Sequence, residues 1–423
     1  MNLDWRRLRA VVFESDDWGL CAWSPDEQAC RVLADTPAFR SPAGRRYGGS
    51  TLESATDIQS LTRILMEFRG GDGFPAVWQA NTVVASPDYA RLRPPLFECD
   101  ALPLVDFPDA PSRWRRPGAW EAVQRAREAG VWWPELHGLH HLPEAAWLSA
   151  LRRGTDDARR AHEQQSPICM AVESSGEYDA SEPEEMRGRN FDLAFARFQA
   201  LMGRRPDSFC PPDYRWDERL EAHAERLGVT ILQGKGEQAG TRFTKLRRLA
   251  LGFRWRHQSG PRFYMPPRIA FEPCRPQPAS ARGAVDRAHR AARAAWARGR
   301  PAVLSTHRVN YAHLDPAWSA AGRAALCDLL RRLTSDGAVF LVDAEVRQLH
   351  ERRWSLREAG GRGVLLRYYG VPRAPLRFPA RPGARRVEVR EGRRPDDAEV
   401  SIERDEVVAR LNVGEYLLEW GPP

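Results

Sequence analysis

The sequence predicts an α/β protein, a mainly parallel sheet closed into a barrel and followed by a small β-rich domain. Short apolar runs alternate with helical stretches from residue 9 to about 350. Several of those runs end in polar clusters, and the C-terminal ends of strands are where α/β barrels place their chemistry. Beyond about residue 352 the helical periodicity gives way to short strands separated by Gly, Pro and Asp. At 423 residues the chain exceeds one compact core, and the predicted division is 1–350 for the barrel and 351–423 for a sandwich-like β domain.

The first run, residues 9–14, reads as a buried strand and ends in Ser15-Asp16-Asp17-Trp18-Gly19. Residues 57–68 follow as a helix with Leu61, Ile64, Leu65 and Phe68 on one face, stopped by Gly70-Gly71-Asp72-Gly73. A second strand covers 75–84. The Pro-rich stretch 86–117 has little periodicity and reads as a long loop of the kind that serves as a lid. Helix 119–129 leads to a short strand at 131–133, which runs into Pro134-Glu135-Leu136-His137-Gly138-Leu139-His140-His141. Strands at 168–172, 208–210, 229–232, 302–306 and 339–342 then alternate with helices at 191–202, 217–227, 286–297 and 321–333. In the C-terminal part, runs at 364–369, 386–390, 398–402 and 415–420 suit a sandwich with one wet face.

Composition narrows the function. With 42% hydrophobic residues, 28% charged residues and 15 Trp, the chain can bury a sizeable core and still face water. A net charge of +8 invites a polyanionic partner. Nearly all of the positive charge is arginine, however, with lysine only at Lys235 and Lys245, a skew expected from base-composition bias in the coding DNA. The arginines are scattered among acids, as in Arg152-Arg153 before Asp156-Asp157, and no aromatic RNA-binding motif or zinc-finger spacing is present, so no specific nucleic-acid partner is expected. Seven cysteines, odd in number and without a CxxC, predict free thiols in a reducing compartment. Asp4, Arg6 and Arg7 leave no room for a signal-peptide apolar segment before the first strand, and no run of about 18 apolar residues could span a membrane, so the expected location is the cytoplasm.

Three of the ten histidines fall at 137, 140 and 141. His137 and His141, four apart in a helical turn, point the same way and can offer two imidazole nitrogens to one ion, while His140 points away. The same cluster also suits a surface patch. Asp16-Asp17 has a second reading as a helix cap or turn, and His307 alone suits a hydrogen-bonded core position. What unites the three groups is their place at the C-terminal ends of predicted strands, where a barrel brings distant segments together.

Over roughly residues 9–350 these features resemble the polysaccharide deacetylases of the NodB-homology type. The family's first motif, a strand ending in Thr-Phe-Asp-Asp-Gly, is similar to Glu14-Ser15-Asp16-Asp17-Trp18-Gly19, with Trp18 inserted before the glycine. Its second, His-Ser/Thr-x-x-His, is similar to His137-Gly138-Leu139-His140-His141, with Gly138 where the hydroxyl residue stands. The third, Arg-x-Pro-Tyr, aligns with Cys210-Pro211-Pro212-Asp213-Tyr214. Cys210 there replaces the arginine that orients the base, leaving Arg215, Lys235 or the metal alone for that task. The fourth motif, acidic and aromatic, is not recognisable around residues 230–238. The fifth, Leu-x-His, is similar to Leu304-Ser305-Thr306-His307, which continues into Arg308-Val309-Asn310-Tyr311.

The resemblance implies a distorted (β/α) barrel of about seven strands. It also implies a metal-dependent hydrolase that removes an N-acetyl, or an O-acetyl, group from a carbohydrate or glycoconjugate precursor. By resemblance Asp17, His137 and His141 hold one divalent transition metal, with Zn²⁺ expected and Co²⁺, Ni²⁺ or Fe²⁺ compatible. Asp16 is then the general base and His307 the general acid. Trp18, Tyr214, Arg215 and Asn310 are the candidate substrate-binding residues, while Trp23, Trp78, Trp132, Trp133 and Trp216 either stack on sugar faces or pack the barrel. Two rival readings are a hydrolase of another small amide on the same barrel and a non-catalytic carbohydrate-binding or scaffold barrel.

Overall fold

The computed structural model describes residues 3–172, 176–239, 244–274, 281–360, 363–392 and 398–421. A curled parallel sheet forms its centre, built from β1 Ala10–Trp18, β2 Trp78–Thr82, β3 Trp132–Leu136, β4 Ser208–Phe209, β5 Ile231–Leu232, β6 Phe263–Tyr264, β7 Ile269–Ala270, β8 Ala302–His307 and β9 Val339–Phe340. Eight of these strands lie in the order β6-β5-β4-β3-β2-β1-β8-β7, and β9 pairs with the start of β1. Among the described residues β6 and β7 do not pair with each other, so the sheet curls without closing, where the sequence pattern predicted closure.

A parallel strand covered on both faces reads as a near-continuous apolar run, and Ala10 to Phe13, the first four residues of β1, are all fully buried. Phe13 stacks on Trp78 at 5.3 Å and on Phe340 at 6.2 Å, tying β1 to β2 and β9. Helices cover the outside. Ala55–Glu67 starts at a capping box of Ser54 and Asp57 and buries Ile58, Leu61 and Leu65 at helical spacing. Pro316–Ser335 buries Leu326, Leu329, Leu330 and Leu333, and Ala281–Ala297 turns a stripe of small residues inward, which lets it lie close to the sheet. No helix among the described residues is long and apolar enough to cross a membrane.

Two local expectations change, and two short strands are new. Residues 168–172 form no strand; the chain turns there, with Val172 N–H donating to the Cys169 carbonyl. The stretch 86–117 is partly ordered by a hairpin of Ala85–Pro87 with Leu104–Asp106. The two-residue strands β6 and β7 carried no periodicity long enough to read.

Register places the site. β1 and β8 run side by side from Val11↔Ala302 to Asp16↔His307, so a carboxylate and an imidazole end adjacent strands as neighbours. β2 matches β3 through Thr82↔Leu136, and β3 matches β4 at Leu136↔Phe209, which sets His137 beside Cys210 at the same end of the sheet.

The C-terminal residues form two antiparallel sheets. Trp354–Glu358, Gly363–Tyr368, Gly414–Trp420 and Val387–Gly392 make one, in that spatial order, and Pro375–Pro379, Glu406–Arg410 and Glu399–Glu403 make the other. Leu366, Tyr416 and Leu418 of the first pack with Phe378, Val407 and Ala409 of the second in one core, the arrangement of a small sandwich. Buried Arg367 reaches from this part to Asp72, at 2.7 Å, and to Glu345.

Candidate active site

The strand ends gather Asp16, Asp17, His137, His141, Tyr214 and His307 around one pocket of about 450 Å³. Asp17 Oδ1 lies 3.4 Å from His137 Nε2 and 3.8 Å from His141 Nε2, and one ligand atom from each of the three residues falls within 4.8 Å of the others. Asp17 and His141 adopt left-handed backbone with φ of 75° and 62°, a conformation that costs free energy in a non-glycine residue and persists where surrounding structure enforces it. His137 Nδ1 donates to the Cys210 carbonyl at 2.7 Å, which orients the ring and leaves Nε2, facing Asp17, as the nitrogen a metal would take in place of its proton. Burial works against charge on the Asp17 carboxyl, but in the metal-free protein the hydrogen bond from His137, with His307 and His141 nearby, holds it well below the usual carboxylate range. Two imidazole nitrogens and an ionised carboxylate form a donor set that suits a divalent transition metal.

Gly138 has a physical reason. Its φ is 112°, and a Cβ there would stand 1.9 Å from Glu177 Oε1. The buried Glu177 carboxylate takes that space, accepting from Leu139 N–H at 2.8 Å and His140 N–H at 3.1 Å. His140 is turned away from Asp17, between Glu177 at 3.2 Å and Glu144 at 3.5 Å. Gly138→Ala should therefore displace Glu177 and the histidine loop with it, at a cost of about 1–3 kcal/mol in backbone strain alone. Zinc titration of this variant should show affinity about 10–100-fold weaker; unchanged affinity would mean that the loop tolerates the displacement.

Asp16 is buried and fully engaged. Arg268 donates from Nη1 to Oδ2 at 2.6 Å and from Nη2 to Oδ1 at 3.1 Å, and Asn81 Nδ2 donates to Oδ1 at 2.6 Å. Burial pushes this carboxyl up, but the guanidinium, with His137 and His307 behind it, brings it down to about 2. Arg268 also donates to Glu14, to the Tyr214 hydroxyl at 2.7 Å and to Gln233 at 2.7 Å. The cation expected from Arg215 or Lys235 thus comes from elsewhere, because Arg215 pairs with Asp179 and Lys235 with Glu221.

His307 Nε2 lies 3.8 Å from Asp16 Oδ2, and Nδ1 lies 2.5 Å from Glu272 Oε1. Burial disfavours the imidazolium, yet Glu272, then Asp17 and Asp16, raise its pKa to about 9. Glu272 is held in turn by Asn310 Nδ2 at 2.8 Å and by Arg46 at 2.9 Å.

The structure moves three candidate substrate-binding residues out of the pocket wall. Trp18 is 1% exposed, packs edge-on against Trp132 with ring centroids 4.7 Å apart, and bonds Ser15, so it belongs to the barrel core. Arg215 is taken by Asp179, and Asn310 is buried behind Glu272. Tyr214 stays, joined by Trp23 and Tyr47, whose rings stack at 5.9 Å. Trp78 and Trp132 pack the core, Trp133 lies under the Arg204 guanidinium, and Trp216 bonds Glu221. Sequence reasoning missed Arg268, Glu272, Asn81 and Gln233. The signal for the first two was present as Arg268, Ala270 and Glu272, a period-two face on a strand too short to notice, and all three line the pocket.

No protein-family model matches the chain, and no curated protein matches it. Solved structures resembling it include a protein assigned as a polysaccharide deacetylase from Mycobacterium smegmatis, 11% identical over 81% of this chain and 90% of that one, with a TM-score of 0.36. A family 4 carbohydrate esterase from Streptomyces lividans, solved with acetate, is 10% identical over 78% and 91% with a TM-score of 0.31. A family 4 pseudoenzyme from Bacillus anthracis is 8% identical over 81% and 66% with a TM-score of 0.34.

Proposed function

We propose that this protein is a metal-dependent deacylase that removes an N-acetyl, or an O-acetyl, group from a carbohydrate or glycoconjugate, with residues 1–350 as the catalytic unit and 351–423 as an accessory domain. The observation that carries the reading is the convergence of Asp17, His137 and His141 within 4.8 Å, flanked by Asp16 and His307, each with its own oppositely charged partner. Asp17, His137 and His141 would hold a divalent ion, with Zn²⁺ the first choice, which would supply Lewis acidity at the acyl carbonyl and lower the pKa of a nearby water. Asp16, ionised and aimed by Arg268 and Asn81, takes the water's proton. His307, held protonated by Glu272, gives a proton to the departing amine or alcohol. Trp23, Tyr47 and Tyr214 offer aromatic faces to a sugar ring. All seven cysteines are free, which supports a reducing compartment.

Acetate release from free, nucleotide-linked and lipid-linked N-acetyl sugars by zinc-reconstituted protein tests this reading. Release from at least one class, lost on chelation, is expected. No release from any, with under about a tenth of an equivalent of bound transition metal after reconstitution, would sink it.

Glu272→Gln gives a sharper test of the acid. The histidine works protonated, so activity falls as pH rises through its pKa of about 9. Glu272 is the chief group raising that value, so its neutralisation should move the alkaline limb of the kcat profile to lower pH and leave the rate in mildly acid solution near wild type. An unmoved limb would remove His307 as the acid.

A further inference from the structure

We propose that the helix Thr244–Arg254, with the groove beside it, is a docking surface for an anionic lipid bilayer. An amphipathic helix on a soluble domain normally turns its apolar stripe inward. This one does the reverse. Leu246, Leu249 and Phe253, spaced for one helical face, are 62%, 57% and 73% exposed. They are three of the ten exposed large hydrophobic residues among the described positions, gathered on eleven residues of chain. Such a concentration marks an interaction surface rather than ordinary surface composition.

The charge around the stripe selects the partner. The groove of about 740 Å³ that Leu249 and Phe253 help to line also carries Arg6, Lys245, Arg248, Arg256, Arg298 and Arg300, and no carboxylate among the described residues. Of these cations Arg248 alone pairs with a described acid, Glu237 at 3.3 Å, and it remains half exposed. The general scatter of arginines among acids therefore fails in this groove. Exposed leucine and phenylalanine beside a cluster of basic side chains is the composition of a helix lying in a bilayer interface, its apolar stripe among the acyl chains and its cations at the anionic headgroups. A second copy of the same face is disfavoured, because it would bring two acid-free cationic surfaces together. Nucleic acid would satisfy the cations and leave the apolar stripe in water. Arg248 belongs to the walls of both this groove and the catalytic pocket, so a bilayer docked on the helix lies beside the pocket rim. The surface is independent of the deacylase reading.

Sedimentation with vesicles of phosphatidylglycerol or of phosphatidylcholine tests the proposal on the full chain. The wild type should bind the anionic vesicles at least about tenfold more tightly than the neutral ones. L246S/L249S/F253S should lose about tenfold or more of that affinity, and should melt with the wild type because the three side chains are exposed. K245Q/R298Q, also at exposed positions, should weaken binding to the anionic vesicles alone. Four results would overturn the proposal. One is no preference for phosphatidylglycerol, and a second is the same affinity in the triple-serine variant. The third is a wild-type dimer that the triple-serine variant dissociates, which gives the stripe to a second copy. The fourth is duplex DNA bound as tightly as the vesicles and undiminished in that variant.

Discussion

Asp16→Asn should bind as much metal as the wild type and lose on the order of 10²–10⁴-fold in kcat, the usual contribution of a general base. The two halves of this expectation rest on different geometry. The candidate ligand set is Asp17, His137 and His141, so changing Asp16 leaves those atoms in place. The amide introduced by this substitution can still accept from Arg268 or Asn81 through its oxygen, but it offers an N–H to the guanidinium on the other side and has no basic oxygen for a proton. His141→Ala is the converse variant. It removes one of two imidazoles from the set and should abolish metal retention, measured by elemental analysis after gel filtration, while the melting temperature of the metal-free protein stays close to wild type. Normal turnover in Asp16→Asn would refute its role as base, and full metal content in His141→Ala would place the ion elsewhere.

The adjacent acids and the paired histidines were legible because they interrupt apolar runs at strand ends, and the register Asp16↔His307 turned that pattern into proximity. The proximity of these groups therefore follows from local sequence plus one rule of parallel sheets, while the choice of Asp17, His137 and His141 as ligands comes from the resemblance. Their supporting residues follow from neither. Arg268 and Glu272 bracket a two-residue strand whose place at the sheet edge is fixed by pairing with β8, through Leu304↔Ile269, and not by any pattern of its own. Gln233 and Asn81 meet across 152 positions of sequence, a distance at which no periodicity speaks. Trp18 misled for a related reason. An aromatic next to two acids suggests a substrate platform, and plain alternation would set it on the face of Asp16, but the irregularity between Ser15 and Trp18, where Asp17 is left-handed at φ 75°, breaks that alternation and turns the indole toward Trp132.

That edge strand also supplies the cation that the resemblance expected at Cys210, and it carries the second large expectation. Cys210 is fully buried and contributes its backbone carbonyl to His137, while Arg268 pairs with Asp16. Arg268 in turn faces two buried acids, Asp16 and Glu14, each at most 2% exposed. Arg268→Met should remove that shared counter-charge and cost about 3–5 kcal/mol of stability, as breaking a buried ion pair does. Urea denaturation of the metal-free protein reads this as a lower midpoint. Arg268→Lys keeps a charge but has no planar fork, so it cannot span both oxygens of Asp16 while also reaching Glu14, Gln233 and Tyr214. The lysine variant should recover much of the stability and still fall in kcat with KM little changed, because Asp16, the proposed base, is charged but poorly aimed. Full turnover in Arg268→Lys would show that Asp16 needs only a nearby cation, and undiminished stability in Arg268→Met would show that the two acids share a proton without it.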